Sequence, residues 1–319
     1  MHTITAHRIP ATDPRLRRHV WHDSRSRNFP FDTTGLTIQS VQHVRHIPVL
    51  DQGNVGSCTG NAGIGCLGTD PYFPPAEYWA GATFGRHLIA SYTLRGLPGQ
   101  LTVRQAMLYG PNEAGAVALY SDAESIDGDG PYPPNDNGSS GLSVAKALYR
   151  AGMIGGYTHT FTVDDALKAL SVTSLITGIN WYNSMFSPDP SGQVRVVGAL
   201  AGGHEIVVDG YDAERGLVWF TNSWGTGWGL EGRFCMAVED YARLLGEQGD
   251  VTIFTPASVP VPQPQPAPTP LPPPPPSPNP DEAFAATLRP WVRRAAWFMA
   301  PSTANVKQAA KTWLKAKGL

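Results

Sequence analysis

The most informative stretch of the chain is residues 51–62, which read DQGNVGSCTGNA. A glycine-rich loop leads into a segment that we expect to begin a helix near Cys58. A thiol at a helix N-terminus lies at the positive end of the helix dipole, which lowers its pKa and favours the thiolate. The stretch therefore predicts Cys58 as a nucleophile. The alternative is a small buried cysteine in a glycine-rich loop.

Gln52 precedes Cys58 by six positions (58 − 52) and is predicted to assist the same reaction. A carbonyl under attack needs hydrogen-bond donors for its developing negative charge. We expect the Gln52 side-chain amide and the Cys58 backbone N–H to supply two of them. The helix itself is predicted to be weak, because Gly60 and the glycines that follow it each cost about 1 kcal/mol relative to alanine. Such a conflict between propensity and structure is expected at functional sites.

Two later motifs supply the remaining groups of a catalytic cysteine site. Residues 202–211 read GGHEIVVDGY, and residues 218–229 read VWFTNSWGTGWG. A catalytic thiol needs an imidazole that holds the thiolate and protonates a leaving amine, and the imidazole needs a third group that fixes its tautomer. We predict His204 as the base, Asn222 as its orienting group and Trp224 as a cover over their hydrogen bond.

The pattern of helices and strands predicts an α+β fold. The segments after residue 140 divide into helices at 143–151 and 163–170 and short strands at 173–180, 204–211, 217–222 and 232–238. The helices come mainly before the strands, which favours α+β over an alternating βαβ arrangement.

Composition divides the chain into four parts. They are a polar N-terminal arm at 1–46, a main globular domain at 47–255, a Pro-rich linker at 256–280 and a basic amphipathic helical segment at 281–319. A run of prolines is extended and cannot join a packed core. The last part carries seven basic and two acidic residues with tryptophans between them, so we expect it to dock to a protein partner or an anionic surface. The alternative is a helical hairpin packed on the main domain.

Charge and cysteine content exclude several classes of protein. The net charge is −2, which gives no reason to expect a nucleic-acid partner for the main domain. Three cysteines argue against a disulfide-stapled secreted domain. The N-terminus has no apolar core of a secretory signal, and no stretch is apolar enough to span a membrane. We expect a cytoplasmic or phage-associated protein that needs no cofactor and no metal.

The Gln52-to-Cys58 spacing and the run NSWGTGWG at 222–229 resemble the papain-like (C1-type) family of cysteine peptidases. The resemblance extends over roughly residues 47–240. It implies a two-lobed fold, in which a helical lobe carries Cys58 and a β-barrel-like lobe carries the base. It also implies a peptide or protein substrate in the cleft, hydrolysed through an acyl-enzyme.

The resemblance implies substrate-binding residues as well. The glycine pair that lines the family's cleft corresponds to the stretch 138–141, which marks Ser140 and Gly141. The residue after the catalytic histidine contributes to the family's S2 pocket, and here it is Glu205. Because an unpaired buried carboxylate is costly, a substrate Arg or Lys at P2 is the expected partner. Alternatively, Glu205 is already paired with a neighbouring Arg or Lys, or is turned to solvent.

The sequence departs from the family's usual pattern at Val55, which replaces a cysteine, and at Thr59, which replaces an aromatic residue. About 50 residues precede Gln52, so the long inhibitory propeptide of lysosomal members is expected to be missing, as in bacterial or phage members. Two other functions stay open. One is a cell-wall (peptidoglycan) amidase or endopeptidase of a related Cys-His fold, and the other is a non-catalytic scaffold of phage or bacterial origin.

Overall fold

The computed structural model describes residues 7–21, 23–72, 109–256 and 301–318. The chain divides into two compact units, Met1–Ser258 and Val259–Leu319. All but the first residue of the predicted linker 256–280 lies outside the described residues, and so do residues 281–300. Within the described ranges, no helix is long and apolar enough to cross a bilayer.

The first unit mixes helices and strands, as predicted. Its strands are β1 (His7–Arg8), β2 (His19–Val20), β3 (Val41–Gln42), β4 (Ile154–Thr160), β5 (Leu175–Tyr182), β6 (Leu200–Asp212), β7 (Leu217–Thr221), β8 (Arg233–Ala237) and β9 (Asp250–Pro256). Its described helices are α1 (Cys58–Leu67), α2 (Glu113–Asp127), α3 (Gly141–Arg150), α4 (Val163–Leu170) and α5 (Val238–Gly246). The α+β prediction is confirmed. In the second unit, α6 (Pro301–Ala316) lies within the predicted helical segment, whose docking role stays a prediction.

Local sequence signals set the helix boundaries well. α4 has the predicted bounds because the Thr162 side chain accepts a hydrogen bond from the Asp165 N–H, and both Asp164 and Asp165 lie in its first turn. α3 begins directly after Ser140, whose side chain accepts a hydrogen bond from the Ser143 N–H. Ser140, which was predicted to bind substrate, thus acts as a helix cap.

The unit contains a seven-stranded antiparallel sheet. Six strands lie in the order β4-β9-β5-β6-β7-β8, and the seventh, β3, pairs with the C-terminal end of β6. β6 and β7, which contain most of the strands predicted at 204–211 and 217–222, form a hairpin in which Val207 pairs with Thr221. Side chains alternate between the two faces of a strand. His204, three residues before Val207, and Asn222, one residue after Thr221, therefore project from the same face.

Two hydrophobic cores flank this sheet. One core packs α4 and α5 against the sheet and includes Trp181, Val208 and Phe220. The other packs α1, α2 and α3 and includes Leu119 and Val207. Adjacent residues of β6 thus belong to different cores. Full burial of each large apolar side chain contributes about 1.5–3 kcal/mol, so both cores hold β6 in a single register.

The glycines of α1 allow its close contact with the neighbouring helices. A Cβ atom added at Gly60 would lie 2.2 Å from the Ala116 carbonyl oxygen, and one at Gly63 would lie 2.6 Å from a methyl group of Val144. The low helix propensity noted in the sequence is therefore a requirement of packing. At Gly60, the backbone of α1 lies closer to α2 than any residue with a Cβ atom would allow.

We expect Gly60→Ala to destabilise the protein although alanine is the better helix former. The added methyl overlaps the backbone of α2, and overpacking of this kind costs about 1–3 kcal/mol. Gly246→Ala is the matched control, since a Cβ there meets nothing within 4 Å. It should leave the free energy of unfolding unchanged or raise it by up to about 1 kcal/mol. Urea unfolding measures both, and equal stability of the two variants would contradict the packing account.

Candidate active site

Cys58 is the first residue of α1, and its side chain is fully buried. The thiol lies against the backbone N–H groups of Glu205, Arg17 and Thr59, each of which favours the thiolate. Burial outweighs these donors and raises the pKa of the Cys58 thiol to about 12. The thiol is therefore protonated in the state that the structure describes.

His204 and Asn222 form a buried hydrogen-bonded pair. His204 Nε2 lies 2.7 Å from Asn222 Oδ1, and the same oxygen accepts the Ser223 backbone N–H at 2.8 Å. The Ser223 donor fixes the orientation of the amide, because only its oxygen can accept. Nε2 must then carry the ring proton, which leaves Nδ1 as the basic nitrogen.

The structure brings Cys58 and His204 to neighbouring positions but does not join them. The thiol contacts the N–H of Glu205, the residue after His204. Among the described residues, His204 Nδ1 has no hydrogen-bond partner. Burial lowers the pKa of His204 to about 4, although the hydrogen bond to Asn222 raises it. Catalytic hydrogen bonds are often incomplete until substrate is bound, so both groups stay available as reactants.

Aromatic rings enclose the imidazole. The ring centroids of Trp224 and Trp181 each lie 5.0 Å from that of His204, and 5.1 Å from each other. Trp224 was predicted as a cover from the sequence, whereas Trp181 was not. The sequence signal for a buried Trp181 is the alternation of apolar residues along β5. The two indoles exclude water from the His204 pair and strengthen its hydrogen bond.

The Gln52 side chain is held in one orientation. Its Oε1 accepts the Ser223 hydroxyl at 2.7 Å, so its Nε2 must face the other way. Nε2 donates to the Val55 carbonyl at 2.8 Å and to the Arg15 carbonyl at 3.2 Å. The group predicted to hold an oxyanion thus already holds a carbonyl of the chain. Ser223, which the sequence analysis did not single out, positions this amide.

Backbone pairing joins the loop before Cys58 to the segment that carries Asn222. The Gln52 N–H donates to the Ser223 carbonyl at 2.9 Å, and the Gly225 N–H donates to the Leu50 carbonyl at 3.0 Å. Between them, Asp51 and Trp224 form an antiparallel bridge. This pairing places residues that are distant in sequence on one surface.

A segment near the N-terminus covers this surface, and we call residues 12–20 the cleft segment. Leu16 and Arg18 are fully buried, although this part of the chain was predicted as a polar arm. The Arg18 N–H donates to the Gly203 carbonyl at 3.1 Å on one side. On the other side, Ser139 N–H donates to the Arg17 carbonyl at 3.2 Å and the Ser139 carbonyl accepts from the His19 N–H at 2.6 Å. The cleft segment is therefore hydrogen-bonded along both edges.

The residues predicted to bind substrate lie beside this segment. Ser140 is buried and caps α3. The backbone that contacts the cleft segment belongs to the two preceding residues, and a Cβ atom at Gly138 would lie 1.8 Å from the Arg17 carbonyl oxygen. A Cβ at Gly141 would lie 2.6 Å from Glu205 Oε1, so this glycine makes room for the carboxyl group.

Glu205 is buried close to the Arg18 side chain, and we call this buried site the Glu205 pocket. Among the described residues, neither carboxyl oxygen of Glu205 nor Arg18 Nε has a hydrogen-bond partner. A Cβ atom at Gly178 would lie 2.3 Å from Arg18 Nε and 2.7 Å from Glu205 Oε2, so both groups approach this glycine. The Arg18 guanidinium donates to the Asp250 carboxylate and, at 2.8 Å, to the Gln248 carbonyl. Glu205 is fully buried, and burial, reinforced by the charge of Asp250, raises its pKa well above the ordinary value.

The arrangement places a thiol, an imidazole and hydrogen-bond donors near one another, and an acyl-transfer site requires groups of these three kinds. Among the residues that the structure describes, no group of three or more His, Cys, Asp or Glu side chains is placed to hold a metal ion.

No family model matches the chain, and no curated protein matches it. Among solved structures, the chain is similar to xylellain, a cysteine protease from Xylella fastidiosa, at 21% identity and a TM-score of 0.40 over 80% of this chain and 96% of that one. It is similar to a digestive procathepsin L 3 of Tenebrio molitor larval midgut at 15% identity, a TM-score of 0.43 and coverages of 71% and 73%. It is similar to the bromelain protease from Ananas comosus at 16% identity, a TM-score of 0.35 and coverages of 67% and 99%.

The mixture of helices and antiparallel strands agrees with the predicted α+β class. With identities no higher than 21% and TM-scores no higher than 0.43, these similarities do not transfer an activity to the chain. Its function has to be inferred from its own side chains. The expected leaning toward bacterial or phage members stays a prediction.

We expect the His204 ring to stay neutral, with its proton on Nε2, from pH 7 down to pH 5. Its pKa of about 4 follows from burial, against an ordinary value near 6.5. Nitrogen-15 NMR of the histidine rings measures both tautomer and midpoint. Asn222→Ala should lower the midpoint further, because it removes the hydrogen bond that favours the charged ring. A wild-type midpoint at or above about 6.5 would contradict this description.

Proposed function

We propose that the protein is a cysteine peptidase, with Cys58 as nucleophile, His204 as general base and acid, Asn222 as orienting group and Gln52 as oxyanion donor. The observation that carries the proposal is the His204–Asn222 pair. The Ser223 N–H identifies Asn222 Oδ1 as the atom that faces His204, so Nε2 must be the donor in this hydrogen bond. Nδ1 is then the nitrogen available to a thiol. A buried histidine kept for packing alone would not need this tautomer to be fixed.

In the proposed reaction, His204 Nδ1 takes the thiol proton and the Cys58 sulfur attacks the substrate carbonyl carbon. The carbonyl oxygen becomes an oxyanion, which accepts from Gln52 Nε2 and the Cys58 N–H. As the C–N bond breaks, the imidazolium returns its proton to the leaving amine. The products of this step are a free amine and a thioester on Cys58. Water, deprotonated by His204, then attacks the thioester. The carboxylic acid product leaves, and the Cys58 thiol is regenerated.

The pocket at Glu205 supports a preference for basic side chains. Its carboxyl group is buried without a hydrogen-bond partner among the described residues, and the neighbouring Asp250 adds a second acidic group. The pocket already accommodates one guanidinium, that of Arg18. A substrate arginine placed there would meet the same carboxyl groups and the Gln248 carbonyl, with the bidentate geometry that arginine allows.

Replacing the catalytic groups tests the proposal. We expect Cys58→Ala and His204→Ala to abolish hydrolysis of peptide substrates while the fold is retained. Asn222→Ala should be milder, since that residue orients but does not react. Gln52→Ala should reduce kcat by about 10²–10³-fold, as the loss of one oxyanion donor does. Retained turnover in Cys58→Ala would refute the mechanism. Cell-wall clearing is assayed in parallel, and absence of clearing would argue against a peptidoglycan amidase or endopeptidase.

Substituting Glu205 tests the pocket. We expect Glu205→Ala to lower kcat/KM for a peptide with arginine in the pocket position at least about tenfold relative to its leucine counterpart, because a hydrogen bond to a charged group contributes about 1.5–3 kcal/mol. Glu247→Ala is the matched control. The Glu247 carboxylate accepts from the Tyr182 hydroxyl outside the pocket, so its loss should leave the ratio of kcat/KM for the arginine and leucine peptides unchanged. A wild type that already prefers leucine or phenylalanine over arginine would contradict the assignment.

A further inference from the structure

A small polar cavity lies between α1 and the hairpin of β6 and β7, beside the proposed base. Its volume is about 10 Å³, and its walls include Asn61 of α1, Arg45, and Asn222 at the end of β7. Asn61 and Asn222 are each only 2% exposed. A cavity of this size holds about one water molecule, provided that polar groups line it.

The amide of Asn61 is held in one orientation, with its oxygen unpaired. Asn61 Nδ2 donates to the Ser57 carbonyl at 3.0 Å and lies 3.0 Å from the Ser57 hydroxyl oxygen. A carbonyl oxygen can only accept, so the amide nitrogen must face Ser57 and Oδ1 must face away from it. Among the described residues, this buried Oδ1 has no hydrogen-bond partner. Because an unpaired buried acceptor is costly, a donor is expected beside it.

Two unpaired donors belong to residues of the same cavity. Asn222 Oδ1 is used by the His204 ring and the Ser223 N–H, so the free end of this amide is Nδ2. Arg45 donates to two backbone carbonyls through Nη1 and Nη2, which leaves Nε. Within the part of the chain that the structure describes, Asn222 Nδ2 and Arg45 Nε are both buried without a partner.

The other polar side chains of the cavity wall are directed elsewhere. Thr221 and Ser223 both donate their hydroxyl protons to other side chains. The Glu205 carboxyl group lies toward β5, where a Cβ atom at Gly178 would be 2.7 Å from its Oε2. β5 and β7 flank β6 on opposite sides. The groups that remain are two donors and one acceptor, which match the two lone pairs and a proton of one water molecule.

We propose that a single buried water binds in this cavity, where it accepts from Asn222 Nδ2 and Arg45 Nε and donates to Asn61 Oδ1, and that Asn61 thereby positions Asn222. The inference rests on the proposed function, in which Asn222 orients the base. The hydrogen bonds at Oδ1 fix one end of the Asn222 amide, and the water fixes the other end. Helix α1 then carries the nucleophile at its first residue and, three positions later, a positioning residue for the base.

The first test detects the water and needs no peptidase assay. In full-length protein labelled with nitrogen-15 asparagine, we expect a nuclear Overhauser effect between a bound water and the Nδ2 protons of Asn222. Asn61→Leu keeps the shape of the side chain and removes its acceptor, so the effect should disappear. Asn180→Leu is the matched control, because Asn180 Oδ1 is also unpaired among the described residues but lies outside the cavity.

The hydroxyl protons of Thr221 and Ser223 exchange with solvent and could imitate a bound water. Both hydroxyl groups are retained in Asn61→Leu, so a signal relayed through them would survive that substitution. Absence of the effect in wild type would overturn the proposal whether or not any variant folds. An effect that persists unchanged in folded Asn61→Leu would overturn it as well.

The second test separates positioning from packing. Asn61→Asp and Asn61→Leu both lose the donation to Ser57, but only aspartate keeps an acceptor for the water. At pH 7, nitrogen-15 NMR should show a population of His204 with its proton on Nδ1 in Asn61→Leu and only the Nε2 tautomer in Asn61→Asp. Equal tautomer populations in the two variants would overturn the positioning role.

Turnover of a short peptide separates this inference from the proposed function. Asn61→Leu should lower kcat by up to about tenfold with little change in KM, since that is the contribution of one hydrogen bond. If wild type shows the water and the Asn61-dependent tautomer but hydrolyses no peptide, the positioning stands and the peptidase assignment fails. If wild type hydrolyses peptides and Asn61→Leu changes neither kcat nor the tautomer, the peptidase assignment stands and the positioning role fails.

Discussion

The active-site geometry depends on a short antiparallel pairing between residues 50–52 and 223–225. Two backbone hydrogen bonds and the Ser223–Gln52 side-chain contact join the loop that precedes Cys58 to the hairpin that carries Asn222. Helix α1 also packs on β6 through Val207, so this pairing adds a second connection, between the loop that precedes Cys58 and the segment of Asn222. Ser223 serves both sides, since its N–H orients Asn222 and its hydroxyl orients Gln52. A single residue therefore orients both Asn222 and Gln52.

Burial and reactivity oppose each other at this site. A thiolate–imidazolium pair needs charge, yet Cys58 and His204 are both fully buried, and desolvation disfavours each charged form. The N–H groups around the sulfur and the Asn222 oxygen act in the opposite direction. The balance depends on how much water reaches the cleft, and so on what occupies it.

Local patterns predicted much of the fold and of the candidate site. The hairpin of β6 and β7, the bounds of α4 and the start of α1 at Cys58 follow from turn residues, caps and alternation. The burial of Leu16 and of residues 18–20 could not be predicted in this way. Leu16 is flanked by arginines, which are typical of a solvated arm, and its burial depends on partners more than a hundred positions away. Trp181 and Ser223 were missed because their roles arise from contacts across strands.

Strand β6 carries the imidazole and the pocket carboxyl group on consecutive residues. His204 pairs with Ile179 and Glu205 with Gly178, so the two side chains project from opposite faces of the sheet. One strand thus carries the proposed base on one face and the proposed pocket residue on the other. A shift of its register by a single residue would exchange these faces and abolish both properties at once. Substitution at position 205 can therefore change the proposed pocket without moving His204, whereas a one-residue insertion or deletion between His204 and the residues of β6 that follow would place His204 on the other face.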